Sequence, residues 1–140
     1  MTQHCIIYIS EATANLSEAA LLTLLQQARA EHQHAQLTGL LVYRDGRFLQ
    51  ILEGPEMPLR EFFNRVAADP RHGKLEKLAD GLKPRPDFQQ WHMSFACTTP
   101  QRCAQLPGYL GIEQLLAVAE GTSVRHLISE FLEASYVPLH

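Results

Sequence analysis

The stretch TGLLVYRDGRFLQILEGP, residues 38–55, decides the fold. Two apolar runs flank Asp45-Gly46, a dipeptide that tolerates the positive φ of a tight turn, so the pattern predicts a β-hairpin. In the second run, period-2 alternation puts Gln50 on one face with Phe48 and Leu52, where an apolar residue is expected. A buried amide without a hydrogen bond costs about 1 to 3 kcal/mol. We therefore expect Gln50 to meet a polar partner.

Outward from the hairpin, hydrophobic periodicity predicts strands and helices on both sides. In the first strand, alternation places Tyr8 on one face with Ile6 and Ser10. The predicted elements, in chain order, are a strand at 5–10, a helix at about 17–32, the hairpin, a helix at 57–67 that ends before Asp69-Pro70, a strand at 74–82 and a strand at 91–97. The alternation in the segment 74–82 is loose.

The order β-α-β-β-α-β-β predicts an α+β fold, a ferredoxin-like sandwich with both helices on one face of the sheet. Beyond Pro100, residues 112–120 and 123–134 predict two further helices. We expect a domain at 1–98 and a helical C-terminal extension at 99–140. The extension is too small to fold alone, so it should pack on the sheet or form an oligomer interface. Apolar positions of the extension that favour a homo-oligomer are Leu115, Leu116, Leu127 and Phe131.

Composition excludes several classes of protein. With 140 residues, 46% hydrophobic and 19% charged, the chain suits a single soluble domain. A net charge of -3 without a basic stripe argues against a nucleic-acid partner. No apolar run approaches a membrane span and no signal-like segment is present, so we expect no membrane partner and a cytoplasmic location. Three cysteines without CxxC spacing argue against a disulfide framework and a structural zinc site.

Four motifs together give a resemblance to a known family. They are Tyr8 in IIYIS, the hairpin stretch with Gln50, RVAADPRH at 65–72, and FQQWHMSF with Trp91 and Met93. As a set they resemble a BLUF domain, the flavin-binding blue-light sensor module, in its compact form with a short helical tail. The resemblance covers about residues 4 to 98 and also fits the tail. It implies FAD as cofactor, with FMN as an alternative, a downstream signalling protein as partner, no metal and no enzymatic activity.

The resemblance also implies roles for single residues. Tyr8 matches the electron and proton donor to the photoexcited flavin, and Gln50 matches the amide that bonds the ring edge and rearranges on illumination. Trp91 and Met93 match the pair that passes this rearrangement to the sheet and tail. The side chains that match positions flanking the ring are Leu24, Phe48 and Val66, and those that match the contacts of the second helix with the ribityl and phosphate portion are Arg65, Asp69 and His72.

The chain departs from the family pattern at the end of the first helix. Glu31 and His32 stand where the family has two adjacent Asn residues that reach the pyrimidine edge of the flavin. An Asn amide both donates and accepts, whereas an ionised carboxylate only accepts, so a buried Glu31 should weaken flavin binding. Ala28, where Ser is common, and Gln36, where Gly is usual, are further departures. Two hypotheses follow: a working FAD photoreceptor with an altered contact, or a flavin-poor relative that acts as an interaction or regulatory module.

Other functions have less support in the sequence. Taken singly, Tyr8 and Gln50 are compatible with a core aromatic and an edge amide. His32 and His34 beside Glu31 could suggest a metal site, but side chains at i and i+2 diverge on a helix. An enzyme that uses Tyr8 as acid or base would need further catalytic groups, and the chain shows no nucleophile-base pair, paired carboxylates or phosphate loop.

Overall fold

The computed structural model describes residues 3–12, 18–44, 46–70, 72–83, 94–97, 109–120, 122 and 124–134. The strands are β1 (Gln3–Ala12), β2 (Thr38–Arg44), β3 (Arg47–Gly54), β4 (His72–Lys83), β5 (Ser94–Cys97) and β6 (Tyr109–Leu110). The helices are α1 (Glu18–Ala35), α2 (Glu56–Ala68), α3 (Ile112–Ala119) and α4 (Arg125–Ala134).

These strands form one sheet in the order β4-β1-β3-β2-β5-β6. The first four pair antiparallel, which confirms the predicted ferredoxin-like α+β fold. β5 extends the sheet by pairing parallel to β2, and β6 pairs parallel to β5. The sequence did not predict β6, because two residues are too few to show a period of two.

The hairpin forms at the predicted turn. Arg44 of β2 pairs with Arg47 of β3, and Gly46, which lies between them, has φ of 80°. The register then places Leu41 opposite Gln50. Gly39 in β2 is required by a close approach, since a Cβ there would lie 2.0 Å from the backbone oxygen of Ile51.

Helix α1 is one turn longer than the predicted end at residue 32. It closes with a Schellman motif, in which the Leu37 N–H donates to the His32 oxygen at 2.8 Å and the Gln36 N–H donates to the Gln33 oxygen at 3.3 Å. Gln36 adopts the left-handed conformation with φ of 59°, a position that glycine favours. The polar composition of 31–36 suggested an earlier end, but polar side chains suit the exposed face of a helix.

Strand β4 extends beyond the predicted 74–82 at both ends, and its pairing with β1 explains its loose alternation. The register shifts between Ile7 and Tyr8 and again between Ile9 and Glu11. Each irregularity changes which side chains face the core, so a strict period of two is lost. Lys74 has φ of 47° within this strand.

The two faces of the sheet are covered by different helices. One face packs against the tail helices in an apolar cluster, whose buried members are Cys5, Ile7, Leu40, Val42, Leu49, Ile51, Leu115, Val124, Ile128, Phe131 and Leu132. The other face packs against α2 through Ile6, Tyr8, Leu37, Leu52, Leu59 and Phe62. The tail helices therefore contribute to this core, which buries Leu115 and Phe131, two of the positions expected at an oligomer interface. Among the described helices, none has the length and apolar character needed to cross a membrane.

Candidate functional site

A cleft of about 500 Å³ lies between α1 and α2 above the β1-β3-β2 part of the sheet. Its lining residues are Tyr8, Leu24, Gln27, Ala28, Glu31, Leu41, Gln50, Phe62, Arg65, Val66 and Asp69. The lining combines apolar walls with a few polar groups, as small-molecule sites do. Ala28, a short side chain, is among the α1 residues that face this space.

Tyr8 and Gln50 meet at the floor of the cleft. They are direct cross-strand partners in the β1-β3 register, and the Tyr8 hydroxyl donates a hydrogen bond to Gln50 Oε1. Tyr8 is fully buried and Gln50 is 3% exposed. Burial, with a smaller contribution from the Asp69 carboxylate, raises the pKa of the Tyr8 phenol far above its usual range. The phenol is therefore protonated and acts as the donor of this bond.

His32 is the third member of this buried polar group. Its Nε2 lies 3.4 Å from Gln50 Nε2, a long hydrogen bond, and the residue has no exposed surface. The imidazole packs edge-on against the Phe62 ring, with 4.6 Å between ring centres. His32 is not among the residues that line the cleft: it lies behind Gln50. Its predicted direct contact with the flavin edge stays a prediction.

Glu31 lies at the mouth of the cleft, and its side chain is 47% exposed. Its expected burial against the flavin edge stays a prediction. It accepts a long hydrogen bond of 3.4 Å from Arg65 Nη2 across the two helices. Near the end of α1 the Glu31 side chain points toward solvent and the His32 side chain points into the core. Adjacent positions of the helix therefore differ in burial.

The other predicted side chains divide between the cleft and the rest of the molecule. Leu24 and Val66 line opposite walls, and Asp69 lies at the C-terminal end of α2. Phe48 does not line the cleft, because its fully buried ring packs 4.9 Å from the Tyr43 ring. The backbone of His72 pairs with Ala12, and its side chain, together with Trp91 and Met93, lies outside the described residues.

Three lining residues, Gln27, Leu41 and Phe62, were not predicted. Gln27 lies three positions after Leu24 and four before Glu31, so helical spacing indicates one shared face. Phe62 lies three positions before Arg65 on α2, by the same argument. Leu41 follows from the hairpin register, which places it opposite Gln50. Spacing relative to the predicted residues was the signal that could have identified all three.

A second polar cluster lies on the same face of the sheet, where β1, β4 and α2 meet. Asp80 accepts from Arg60 Nη1 at 2.9 Å, from Lys77 Nζ at 2.8 Å and from the buried His4. Hydrogen bonds from Arg60, His4 and Lys77 hold the pKa of Asp80 well below its usual range. Within the described ranges, no group of three His, Cys, Asp or Glu side chains could hold a metal ion.

Comparison with known proteins agrees with this geometry. The family described as sensors of blue-light using FAD matches residues 3–94. The chain belongs to the BLUF family. Proteins of this family are blue-light sensors that bind flavin, and the buried Tyr8–Gln50 pair lies within the matched BLUF segment.

Curated BLUF relatives are much longer than this chain. The photoactivated adenylate cyclase subunit beta-like protein FB of Euglena gracilis is 35% identical over 129 residues, which are 86% of this chain and 15% of the relative. The blue light- and temperature-regulated antirepressor BluF of Escherichia coli (strain K12) is 30% identical over 61 residues, 44% of this chain and 15% of the relative. The chain spans 8% to 15% of the length of the first curated relatives that it matches.

Solved structures share the fold over nearly the whole chain. BlrB, a BLUF protein in its dark state, superposes with a TM-score of 0.68 at 19% identity and covers 96% of this chain and 97% of its own. The ground state of BlsA gives a TM-score of 0.64 at 22% identity, over 93% of this chain and 87% of its own. At these identities the likeness establishes the BLUF fold.

The cleft has the chemistry that a flavin requires. Leu24, Val66 and Phe62 supply apolar walls for a planar ring, and the Gln50 amide on the floor both donates and accepts. The Arg65 guanidinium at the rim suits a phosphate, to which it can bond bidentately. The residues present therefore fit the group, and Glu31 is an anionic neighbour of that cation.

Proposed function

We propose that this chain is a blue-light photoreceptor domain that binds FAD in the cleft between α1 and α2 and signals by hydrogen-bond rearrangement around Tyr8 and Gln50. The single observation that supports it most is the buried hydrogen bond from Tyr8 to Gln50 at the floor of that cleft, in a chain of the BLUF family. Burying a phenol or an amide costs free energy of folding unless the group is hydrogen-bonded. Here the two groups bond to each other inside the cleft.

The chain's own residues account for the local chemistry. A bound flavin supplies an excited state that accepts an electron under blue light. Tyr8, held protonated by burial, is the electron and proton donor. Gln50 carries a donor and an acceptor on opposite corners, so rotation or tautomerisation of its amide reverses the hydrogen-bond pattern at the cleft floor. Both residues are buried, which excludes water from competing for these bonds.

Binding and specificity rest on the cleft walls and rim. Leu24 and Val66 flank the ring, and Arg65 with Asp69 and His72 meets the ribityl and phosphate portion. An arginine at the rim serves FAD and FMN alike, since both carry a phosphate next to the ribityl chain. FAD is proposed on the family description, which names it.

The proposed output passes through β3 to the opposite face. Leu49 and Ile51, the sequence neighbours of Gln50, belong to the cluster that contains Ile128 and Phe131 of α4. A change in the Gln50 amide that shifts β3 is therefore felt by the tail helices, because a packed core transmits small displacements. Trp91 and Met93 are proposed to take part in this step. We propose a downstream signalling protein as the partner. The chain itself is proposed to be a cytoplasmic homo-oligomer that acts as a sensor and not as an enzyme.

The experiment that tests the proposal is reconstitution of the purified protein with FAD, followed by absorption spectroscopy before and after blue light. We expect a bound flavin band that shifts to the red on illumination and recovers in the dark. Tyr8→Phe should keep the flavin and lose the shift. Tyr43→Phe, which removes a partly buried phenol outside the cleft, is the matched control and should behave as the wild type. A Tyr8→Phe variant with an intact shift would refute the role of Tyr8.

A second candidate function is a flavin-poor interaction module. The Glu31–Arg65 contact across the mouth of the cleft favours it, because this pair engages the cation that a flavin phosphate would use. If titration with FAD and with FMN leaves both fluorescent and free while the protein stays folded by circular dichroism, this second function replaces the first.

A further inference from the structure

The buried group at the cleft floor is a chain of three side chains rather than a pair. Tyr8 donates to Gln50 Oε1, and the other end of the same amide, Nε2, lies 3.4 Å from His32 Nε2. The amide nitrogen carries two hydrogens and no lone pair available for acceptance. In this arrangement His32 Nε2 must therefore be the acceptor, and the ring hydrogen of the neutral imidazole must be on Nδ1.

This fixes a relation between the amide of Gln50 and the tautomer of His32. If the amide reverses, its Nε2 faces Tyr8 and its oxygen faces His32. The oxygen accepts only, so a matched bond then needs a hydrogen on His32 Nε2. Each amide orientation thus pairs with one tautomer of the neutral ring: Nδ1–H with the orientation that the structure records, and Nε2–H with the reverse.

His32 is held firmly enough to act on the amide. Its carbonyl oxygen accepts from the Leu37 N–H at 2.8 Å in the Schellman motif that ends α1. Its ring has no exposed surface and packs at 74° to the Phe62 ring. A fully buried ring that packs against Phe62 presents the same nitrogen to Gln50, so we expect that it does not adapt to the amide by turning over.

An amide at position 32 would act differently. An Asn or Gln side chain offers a donor and an acceptor that exchange by a simple rotation, whereas an imidazole nitrogen is one or the other until a proton moves. A histidine here therefore commits the Gln50 amide to one orientation. This restriction of the Gln50 amide comes from His32 of this chain, and an Asn at the same position would not impose it.

We propose that His32 is a positioning residue for the light switch: its Nε2 accepts from Gln50 and holds the amide with its oxygen toward Tyr8 in the dark. In the reversed orientation the amide oxygen would face the same unprotonated nitrogen, so the Nδ1–H tautomer disfavours the reversed amide and favours return to the dark arrangement. Only the part of this inference that concerns illumination rests on the proposed photoreceptor function. The hydrogen bonds among Tyr8, Gln50 and His32 do not depend on a bound flavin.

The first test is ¹⁵N NMR of the His32 ring, assigned by comparison with His32→Phe, in the flavin-free and FAD-reconstituted protein. We expect the Nδ1–H tautomer in the dark in both samples, because Nε2 accepts from Gln50 in each. An Nε2–H tautomer in the dark overturns the inference. If no flavin binds, the proposed function fails, while the dark tautomer still decides whether His32 positions Gln50.

The second test is the rate of dark recovery after illumination. His32→Phe keeps the ring against Phe62 and removes the acceptor, so the dark orientation loses its bond and recovery should slow about two- to tenfold. His32→Gln supplies an acceptor that can also turn to donate, so its recovery rate should lie between those of His32→Phe and the wild type. His34→Phe, at an exposed histidine of the same helix, is the control and should change nothing. If all four proteins respond to light and recover at equal rates, the inference about His32 is wrong, while the proposed function stands. If His32→Phe does not fold, the tautomer measurement decides.

Discussion

The two faces of the sheet are built from the same strands but are packed differently. On the tail face, Leu40, Leu49 and Ile51 belong to one apolar cluster with Ile128 and Phe131 of α4. On the cleft face, the same strands present Leu41 and Gln50 to a space that the helices do not fill. Leu40 and Leu41 are neighbours in sequence and equally buried, at 1% and 2% exposed, yet one lies in a filled core and the other lines a cleft.

This difference shows that one face of a strand can contribute to stability while its other face forms a binding site. A filled apolar face gains the full value of burial and packing. A face that keeps a cleft and buried polar groups gives up part of that value for a place where a ligand can bind. The predictions below test this division, from the largest expected effect to the smallest.

Leu40→Ala and Leu41→Ala form the sharpest pair. Leu40→Ala leaves a cavity in a packed core and should lower the free energy of unfolding by about 3 to 5 kcal/mol, whereas Leu41→Ala enlarges an existing space and should cost about 2 kcal/mol. Urea denaturation of the flavin-free protein measures both. Equal losses would mean that the two faces are packed alike.

Removing the polar pair tests the other side of the comparison. Tyr8→Phe and Gln50→Leu each leave a buried partner unsatisfied and should each cost about 1 to 3 kcal/mol of stability. The double variant should cost less than the sum, because both ends of the bond are removed together. A double-mutant cycle by chemical denaturation gives the coupling. An additive cycle would show that the Tyr8–Gln50 bond contributes nothing to the folded state.

Gln36→Gly tests the end of α1 that positions His32. Gln36 has φ of 59°, and glycine adopts this conformation without the steric cost of a Cβ. We expect the variant to be more stable by about 1 kcal/mol, measured by thermal unfolding. Gln33→Gly, inside the helix and exposed, is the control and should be destabilised by a similar amount. A destabilised Gln36→Gly variant would contradict the strain assigned to this position.

Glu31→Gln tests the mouth of the cleft. The contact with Arg65 is between two half-exposed side chains, so its loss should change stability by less than about 1 kcal/mol. Flavin should bind up to about fivefold more tightly, since Arg65 is released toward the phosphate. Titration by flavin fluorescence measures this, and the gain should shrink at high salt. Unchanged affinity at low salt would mean that Arg65 does not meet the flavin.

Asp80→Asn tests the second polar cluster through its pH dependence. Because hydrogen bonds from Arg60, His4 and Lys77 lower the pKa of Asp80 in the folded state, its stabilising effect is present above the unfolded value and is lost as the pH falls toward the folded one. The wild type should be the more stable at neutral pH, and the gap should narrow below about pH 4. Thermal unfolding across pH gives the difference. A gap that does not change with pH would contradict the ionised state of Asp80.

Much of the fold follows from local pattern. The hairpin between β2 and β3 and the end of α2 before Asp69 follow from local signals, and the structure agrees with both. The length of β1 and β4 could not be read in the same way, because strand ends are set by pairing with neighbours and β4 carries two register shifts. β6 exists only because β5 offers it an edge.

The candidate site divides in the same manner. Alternation alone places Tyr8 and Gln50 on faces that can meet, and the structure brings them into contact. The surroundings of Glu31 and His32 could not be read from sequence, because a one-residue step on a helix turns the side chain by about 100°. Which of the two faces the core depends on how α1 packs against α2.

What the sequence by itself determined about this protein is its order of elements, its hairpin and the family to which it belongs. These depend on periodicity, turn residues and motifs, which act over a few positions. The tertiary structure alone decided that Glu31 is exposed, that His32 lies behind Gln50, and that the tail covers the face opposite the cleft. These are contacts between distant parts of the chain, and they depend on packing, which no local pattern encodes.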